Sequence, residues 1–74
     1  MNETIKSVYK ENPLDESVYS YWLGEQKNKQ VVTQILYHEP RGEGDAHYVD
    51  VEFEDGNKIR IFRPDAIEFL VEVK

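Results

Sequence analysis

Between Tyr48 and Phe62 apolar and polar positions alternate strictly, and that alternation predicts a β-hairpin together with its register. Val49, Val51 and Phe53 alternate with Tyr48, Asp50, Glu52 and Glu54, the period of a strand with one buried and one wet face. Ile59 and Ile61 then alternate with Lys58, Arg60 and Phe62. A tight Asp55-Gly56 turn would set Glu52 opposite Ile59 and mix the two faces. A longer loop, Glu54-Asp55-Gly56 with Gly56 in the left-handed region, sets Val51 opposite Ile59 and Val49 opposite Ile61 instead. The wet face then pairs Glu52 with Lys58, Asp50 with Arg60 and Tyr48 with Phe62, each a favourable cross-strand neighbour.

The remaining pattern is mixed. Ile5, Val8 and Tyr9 fall at i, i+3 and i+4, a helical stripe over Asn2 to Glu11. Asn12 is placed to cap a second helix, with Pro13 at its first position, Asp15 three residues after the cap and Gly24 as terminator. Leu14, Val18, Tyr21 and Trp22 would share its face. A strand competes over residues 13–23, since Val18, Tyr19, Tyr21 and Trp22 are good strand formers, but helix is favoured. Glu25 to Asn28 reads as a polar linker and Lys29 to His38 as a strand. Val31, Thr33, Ile35 and Tyr37 lie on one side of it and Val32, Gln34, Leu36 and His38 on the other, so both faces carry apolar groups. The connection EPRGEGDA reads as an exposed acidic loop. Arg63-Pro64-Asp65-Ala66 ends the hairpin in a turn, and Ile67, Phe69, Val71 and Val73 alternate in a last strand. The expected fold is α+β, mainly antiparallel β: a small SH3-like barrel or four-stranded meander with N-terminal helical cover, residues 1–74 forming one domain.

The chain has 74 residues, near the lower end of what folds without disulfides or metal, and it has no cysteine. That excludes a disulfide framework, a thiolate nucleophile and a zinc-finger ligand set, and makes a reducing cytoplasm the expected compartment. No apolar run approaches a membrane span, and the N-terminus lacks the apolar core of a signal peptide. The formal charge of −6 disfavours direct binding to nucleic acid or an anionic membrane. Its distribution says more. Glu39, Glu43, Asp45, Asp50, Glu52, Glu54 and Asp55 stand against Arg41 alone, a local net of −6, so the whole net charge sits in one loop and the strand after it. Nine aromatics in so short a chain, with a strand apolar on both sides, exceed what one small core buries and lead to the expectation of a homodimer.

Catalytic and metal chemistry find little support. A calcium loop starting at Asp50 would need glycine at Asp55 and a bidentate acid at Ile61, so the spacing fails. His38 and His47 bracket the acidic loop and could approach across its base, but two ligands bind a metal weakly. No nucleophile elbow, zinc-helix motif or phosphate-binding glycine loop occurs, and no paired general acid and base is identifiable. The expectation is a non-enzymatic protein with no cofactor and no metal.

Alternate carboxylates on a strand recur every ~6.7 Å, a spacing comparable to that of backbone phosphates, so Asp50, Glu52 and Glu54 could present a phosphate-like row. In size, cysteine-free composition and polarised charge, the chain resembles the small acidic DNA-mimic inhibitors that phages direct against host DNA-binding proteins. That resemblance implies a basic partner, such as a nucleoid-associated protein, a polymerase subunit or a nuclease, bound through Glu39, Glu43, Asp45, Asp50, Glu52, Glu54 and Asp55. The alternative is an SH3-like adaptor or accessory module that binds a protein partner through exposed aromatics near Trp22 and Tyr48.

Overall fold

The computed structural model describes residues 2–70 and is built of strands alone. β1 spans Asn2–Asn12, β2 Ser17–Trp22, β3 Gln26–Lys27, β4 Gln30–His38, β5 Tyr48–Phe53, β6 Lys58–Phe62 and β7 Ala66–Phe69. All pairings are antiparallel, in the order β2-β1-β4-β5-β6, with β3 added to β4 and β7 to β1. The sheet curls into a half-barrel, which is consistent with the SH3-like expectation. The expected α+β class, its N-terminal helical cover and the four-stranded meander are overturned: residues 2–12 and 17–22 are strands, and no helix occurs among the described residues. It follows that no helix there is long and apolar enough to cross a membrane.

The physical cause of the helical misreading is a β-bulge. The register of β1 against β7 steps from Ile5↔Phe69 to Ser7↔Glu68, so Lys6 is an extra residue that resets the alternation. Ile5 and Val8 therefore both point into the core at a spacing of three, the spacing a helix would also give. β4 repeats the device. Its register against β5 steps from Val32↔Phe53 to Gln34↔Glu52, with Thr33 extra, so Val32 and Ile35 are both buried. The two apolar faces read from the sequence of this strand are largely one face interrupted by a bulge.

Asn12 also does what a cap does, without a helix to follow. Its Oδ1 accepts the Leu14 N–H at 3.1 Å, and Asp15 Oδ1 accepts the Ser17 N–H at 3.0 Å and the Ser17 hydroxyl at 2.6 Å. These side-chain turns are shared by helix caps and hairpin loops. Here they close the β1–β2 hairpin, with Glu16 at φ 58.

The β5–β6 hairpin has the expected register in every pair from Tyr48↔Phe62 to Glu52↔Lys58. Gly56 sits at φ +90, and its N–H reaches the Phe53 carbonyl at 3.0 Å. The core is Ile5, Val8, Val32, Ile35, Val49, Val51, Phe53 and Ile61, with Tyr21 edge-on to Phe53 at 5.9 Å. At the corner after β6, Arg63 adopts φ 49, Pro64 is buried, and the Asp65 N–H reaches the Tyr9 carbonyl at 2.8 Å. Val71 and Val73 of the expected last strand lie outside the described residues.

Candidate functional site

On the outer face of β4, β5 and β6 the registers line residues up in cross-strand rows. His38, Tyr48 and Phe62 form one row; Leu36, Asp50 and Arg60 the next; Gln34, Glu52 and Lys58 the third. The first row is aromatic throughout. The Tyr48 ring stacks on the His38 imidazole at 4.4 Å with 14° between planes, and the Phe62 ring lies 5.8 Å away. From β6 the Arg60 guanidinium carbon sits 4.2 Å from the Tyr48 centroid, a cation–π contact. Phe62 is the open end of the row, 51% exposed.

Asp50 organises the second row. Its side chain is only 16% exposed and accepts from Arg60 Nε at 2.9 Å and Nη2 at 3.3 Å. This hydrogen bonding, opposed by a smaller desolvation cost, raises the Arg60 pKa above its ordinary value. His38 Nε2 also lies 3.2 Å from Asp50 Oδ2, but it is shut off from solvent and has no aligned hydrogen bond. That contact is electrostatic and gains strength only when the imidazole carries a proton.

The seven carboxylates of the acidic tract divide into two groups. Three are engaged within the fold. Asp50 holds Arg60, Glu52 lies 3.6 Å from Lys58 Nζ, and Asp55 accepts the Asn57 N–H at 3.0 Å, the Asn57 amide at 2.9 Å and the Gln30 side-chain amide. Asp55 is thus a turn-forming residue. Glu39, Glu43, Asp45 and Glu54 are exposed and make no ion pair among the described residues. The β5 carboxylates Asp50 and Glu52 therefore share their face with two cations.

Three of the four free carboxylates, Glu39, Glu43 and Asp45, belong to the loop of residues 39–47, which stands beside the aromatic row. Together they enclose an open concavity of about 440 Å³, whose floor is His38, Tyr48 and Phe62 and whose rim includes Glu39, Pro40, Arg41 and Asp45. Its form is a shallow apolar floor with charged edges. The two histidines do not pair across the loop base. His38 faces outward against Tyr48, whereas His47 lies 6.0 Å from Tyr37, which packs on the core. Among the described residues no three His, Cys, Asp or Glu side chains converge to hold a metal ion.

Pairing of Tyr48 with Phe62 follows from the hairpin register read in the sequence. The addition of His38 to that row does not, because the register of β4 depends on the Thr33 bulge. Pro40 and Arg41 at the rim carry no sequence signal beyond membership of a loop. Comparison with protein-family models, with characterised proteins and with solved structures finds no match to this chain.

Proposed function

We propose that this chain is a non-enzymatic protein-interaction module of the cytoplasm, which takes a basic segment of a partner across the concavity between the 39–47 loop and the His38–Tyr48–Phe62 row. The observation that supports it is that an exposed aromatic, Phe62, lines one concavity with Glu39 and Asp45, acids that make no ion pair among the described residues, with Glu43 in the same loop. An aromatic floor supplies apolar area at low entropic cost, and an acidic rim steers and orients cationic side chains. Arg60 already lies over Tyr48, so an incoming cation is received at Phe62 and the rim.

The partner class is a basic protein, and nucleic-acid-binding proteins are the commonest source of such segments. The DNA-mimic form of the proposal is narrowed by the same geometry. With Asp50, Glu52 and Asp55 committed to Arg60, Lys58 and Asn57, the acids able to compete with phosphates are Glu39, Glu43, Asp45 and Glu54. This favours the adaptor form, in which aromatics and loop acids act together.

Titration of the isotope-labelled protein with a short arginine-rich peptide carrying one aromatic residue, followed by amide chemical shifts, tests the site. Shifts concentrated at His38, Asp45, Tyr48 and Phe62, weakening as salt rises, support it. Shifts centred on Glu52 and Glu54 would favour the phosphate-like row, and the absence of any salt-sensitive shift would reject a basic partner.

A further inference from the structure

One oxygen, Asp50 Oδ2, lies between two nitrogen groups that reach it from the strands on either side of β5. From β6, Arg60 Nη2 donates to it at 3.3 Å; from β4, His38 Nε2 approaches to 3.2 Å and makes no aligned hydrogen bond. The His38 side chain is as covered as that of Asp50, and Nε2 itself is shut off from water. A buried ring nitrogen set against a carboxylate without a hydrogen bond is poorly satisfied while the imidazole is neutral. Gaining a proton makes both ring nitrogens donors, and a small rotation then turns the contact into a charge-assisted hydrogen bond. Few other charges face His38. On β5 the Tyr48 ring stacks on it, and Asp50 attracts an added proton; from β6 Arg60, seated over Tyr48, repels it. β1 brings uncharged Asn2 opposite His38 and Thr4 opposite Leu36, while its Glu3 is in register with Tyr37, whose row takes the other face. Glu39, Arg41 and Asp45 of the loop line the same concavity, and Lys10 is bonded to the Phe62 carbonyl at the far end of the row.

Asp50 already neutralises Arg60, so a proton on His38 arrives without a counter-charge of its own. The aromatic floor then gains one uncompensated positive charge, in the same cross-strand row as Phe62. We propose that His38 is a proton switch for the concavity: with the imidazole neutral a cationic segment is held over the aromatic floor, and the imidazolium repels it. The switch rests on the proposed docking of a basic segment at that site. Histidine is the side chain whose ordinary titration lies between about pH 5 and 8, and carboxylates ordinarily lose their charge at lower pH. Acidification through the histidine range therefore changes the floor while the rim stays acidic. Proton and cationic ligand exclude one another, and the coupling is reciprocal: affinity is complete above the His38 titration and lost as pH falls through it, and a bound cation in turn holds His38 neutral.

The affinity of the arginine-rich peptide carrying one aromatic residue, measured at low salt from about pH 8 to about pH 5.5, tests the switch, because arginine does not titrate in that window. The parent should bind about fivefold more weakly at the acid end, the lower end of common couplings between two sites. Its midpoint should coincide with the titration of the His38 ring, followed by NMR of the ring protons. His38→Phe keeps a ring against Tyr48 and removes no hydrogen bond of Nε2, so its ratio of affinities between the two pH values should fall to about one. His47→Gln, altering the histidine that lies against Tyr37, should keep the ratio of the parent. Equal affinity of the parent at both pH values, or a His38 ring that does not titrate in step with binding, would overturn the switch and leave the basic-partner reading standing. A ratio in His38→Phe as large as in the parent, or its loss in His47→Gln, would do the same. If His38→Phe does not fold, the coincidence of the two midpoints in the parent decides alone. Absence of binding at either pH would remove the basic-partner reading and the switch with it.

Discussion

Replacing Val32 with alanine, beside the same replacement at Val31, tests the bulge that sets the inner face of β4. Strict alternation would put Val31 and Ile35 together in the core and leave Val32 outside. The bulge at Thr33 reverses this: Val32 is 1% exposed and Val31 only partly covered. Val32→Ala removes two buried methyl groups, about 1.6 kcal/mol at ~0.8 kcal/mol each. The cavity left between Phe53, Ile35 and their neighbours raises the cost to about 2–3 kcal/mol. A chain of this size has roughly 4–11 kcal/mol of total stability, so the loss is a large fraction of it. Urea titration followed by far-UV circular dichroism measures it, and thermal melting should show a fall of roughly 10–20 °C. Val31→Ala should cost less than about 1 kcal/mol. If Val31→Ala proved as costly as Val32→Ala, the bulge and the register of β4 would both be wrong.

Other expectations concern turns and titrating groups. Asn28 and Lys29 form the β3–β4 turn at φ 53 and 66, so Lys29→Gly should relieve left-handed strain and stabilise by roughly 0.5–1 kcal/mol; a lower melting temperature would contradict this. Gly56→Val should destabilise by roughly 1–2 kcal/mol although open space surrounds the glycine, because the penalty lies in its φ of +90, whereas Gly42→Ala, outside the positive-φ region, should leave thermal stability within about 0.5 kcal/mol of the parent. The Ser17 hydroxyl and N–H hold the Asp15 carboxyl below its ordinary pKa of 3.8. Its contribution is therefore complete above that value and lost as pH falls through the lowered one; carboxyl titration by NMR should show it, and titration at the ordinary value would remove the hairpin-closing role. Burial raises the Tyr21 phenol above 10.0, so its packing on Phe53 should hold below that pH and weaken as alkali ionises it, followed by absorbance at the phenolate band.

How much of the molecule could be read from its sequence depends on where alternation is unbroken. From Tyr48 to Phe62 no bulge intervenes, and turn chemistry, register and both faces all followed from residue type. In β1 the bulge at Lys6 spaces Ile5 and Val8 as a helix would, and Asn12 and Asp15 make turns that helix caps also use. Local chemistry there is compatible with either element, and the pairing of β1 with β2, β4 and β7 decides between them. The candidate site shows the same limit. The acidic tract was legible as charge, and the hairpin register already paired Asp50 with Arg60 and Glu52 with Lys58, but the commitment of Asp55 to Asn57 and Gln30 depends on turn and cross-strand geometry that residue type does not give. Phe62 was legible as the neighbour of Tyr48, and its exposure at the edge of a concavity was not.

The central claim, that loop acids and an aromatic floor form the binding surface, is tested most directly by the affinity of variants for the arginine-rich aromatic peptide at low salt. Phe62→Ala, and separately Glu39→Gln with Glu43→Gln and Asp45→Asn, should each weaken binding about tenfold, equivalent to ~1.4 kcal/mol. Glu52→Gln, whose carboxylate already faces Lys58, should change it less than about twofold. Loss of affinity in Glu52→Gln equal to that of the loop variant, with Phe62→Ala unaffected, would contradict the account and return the binding surface to the strand carboxylates.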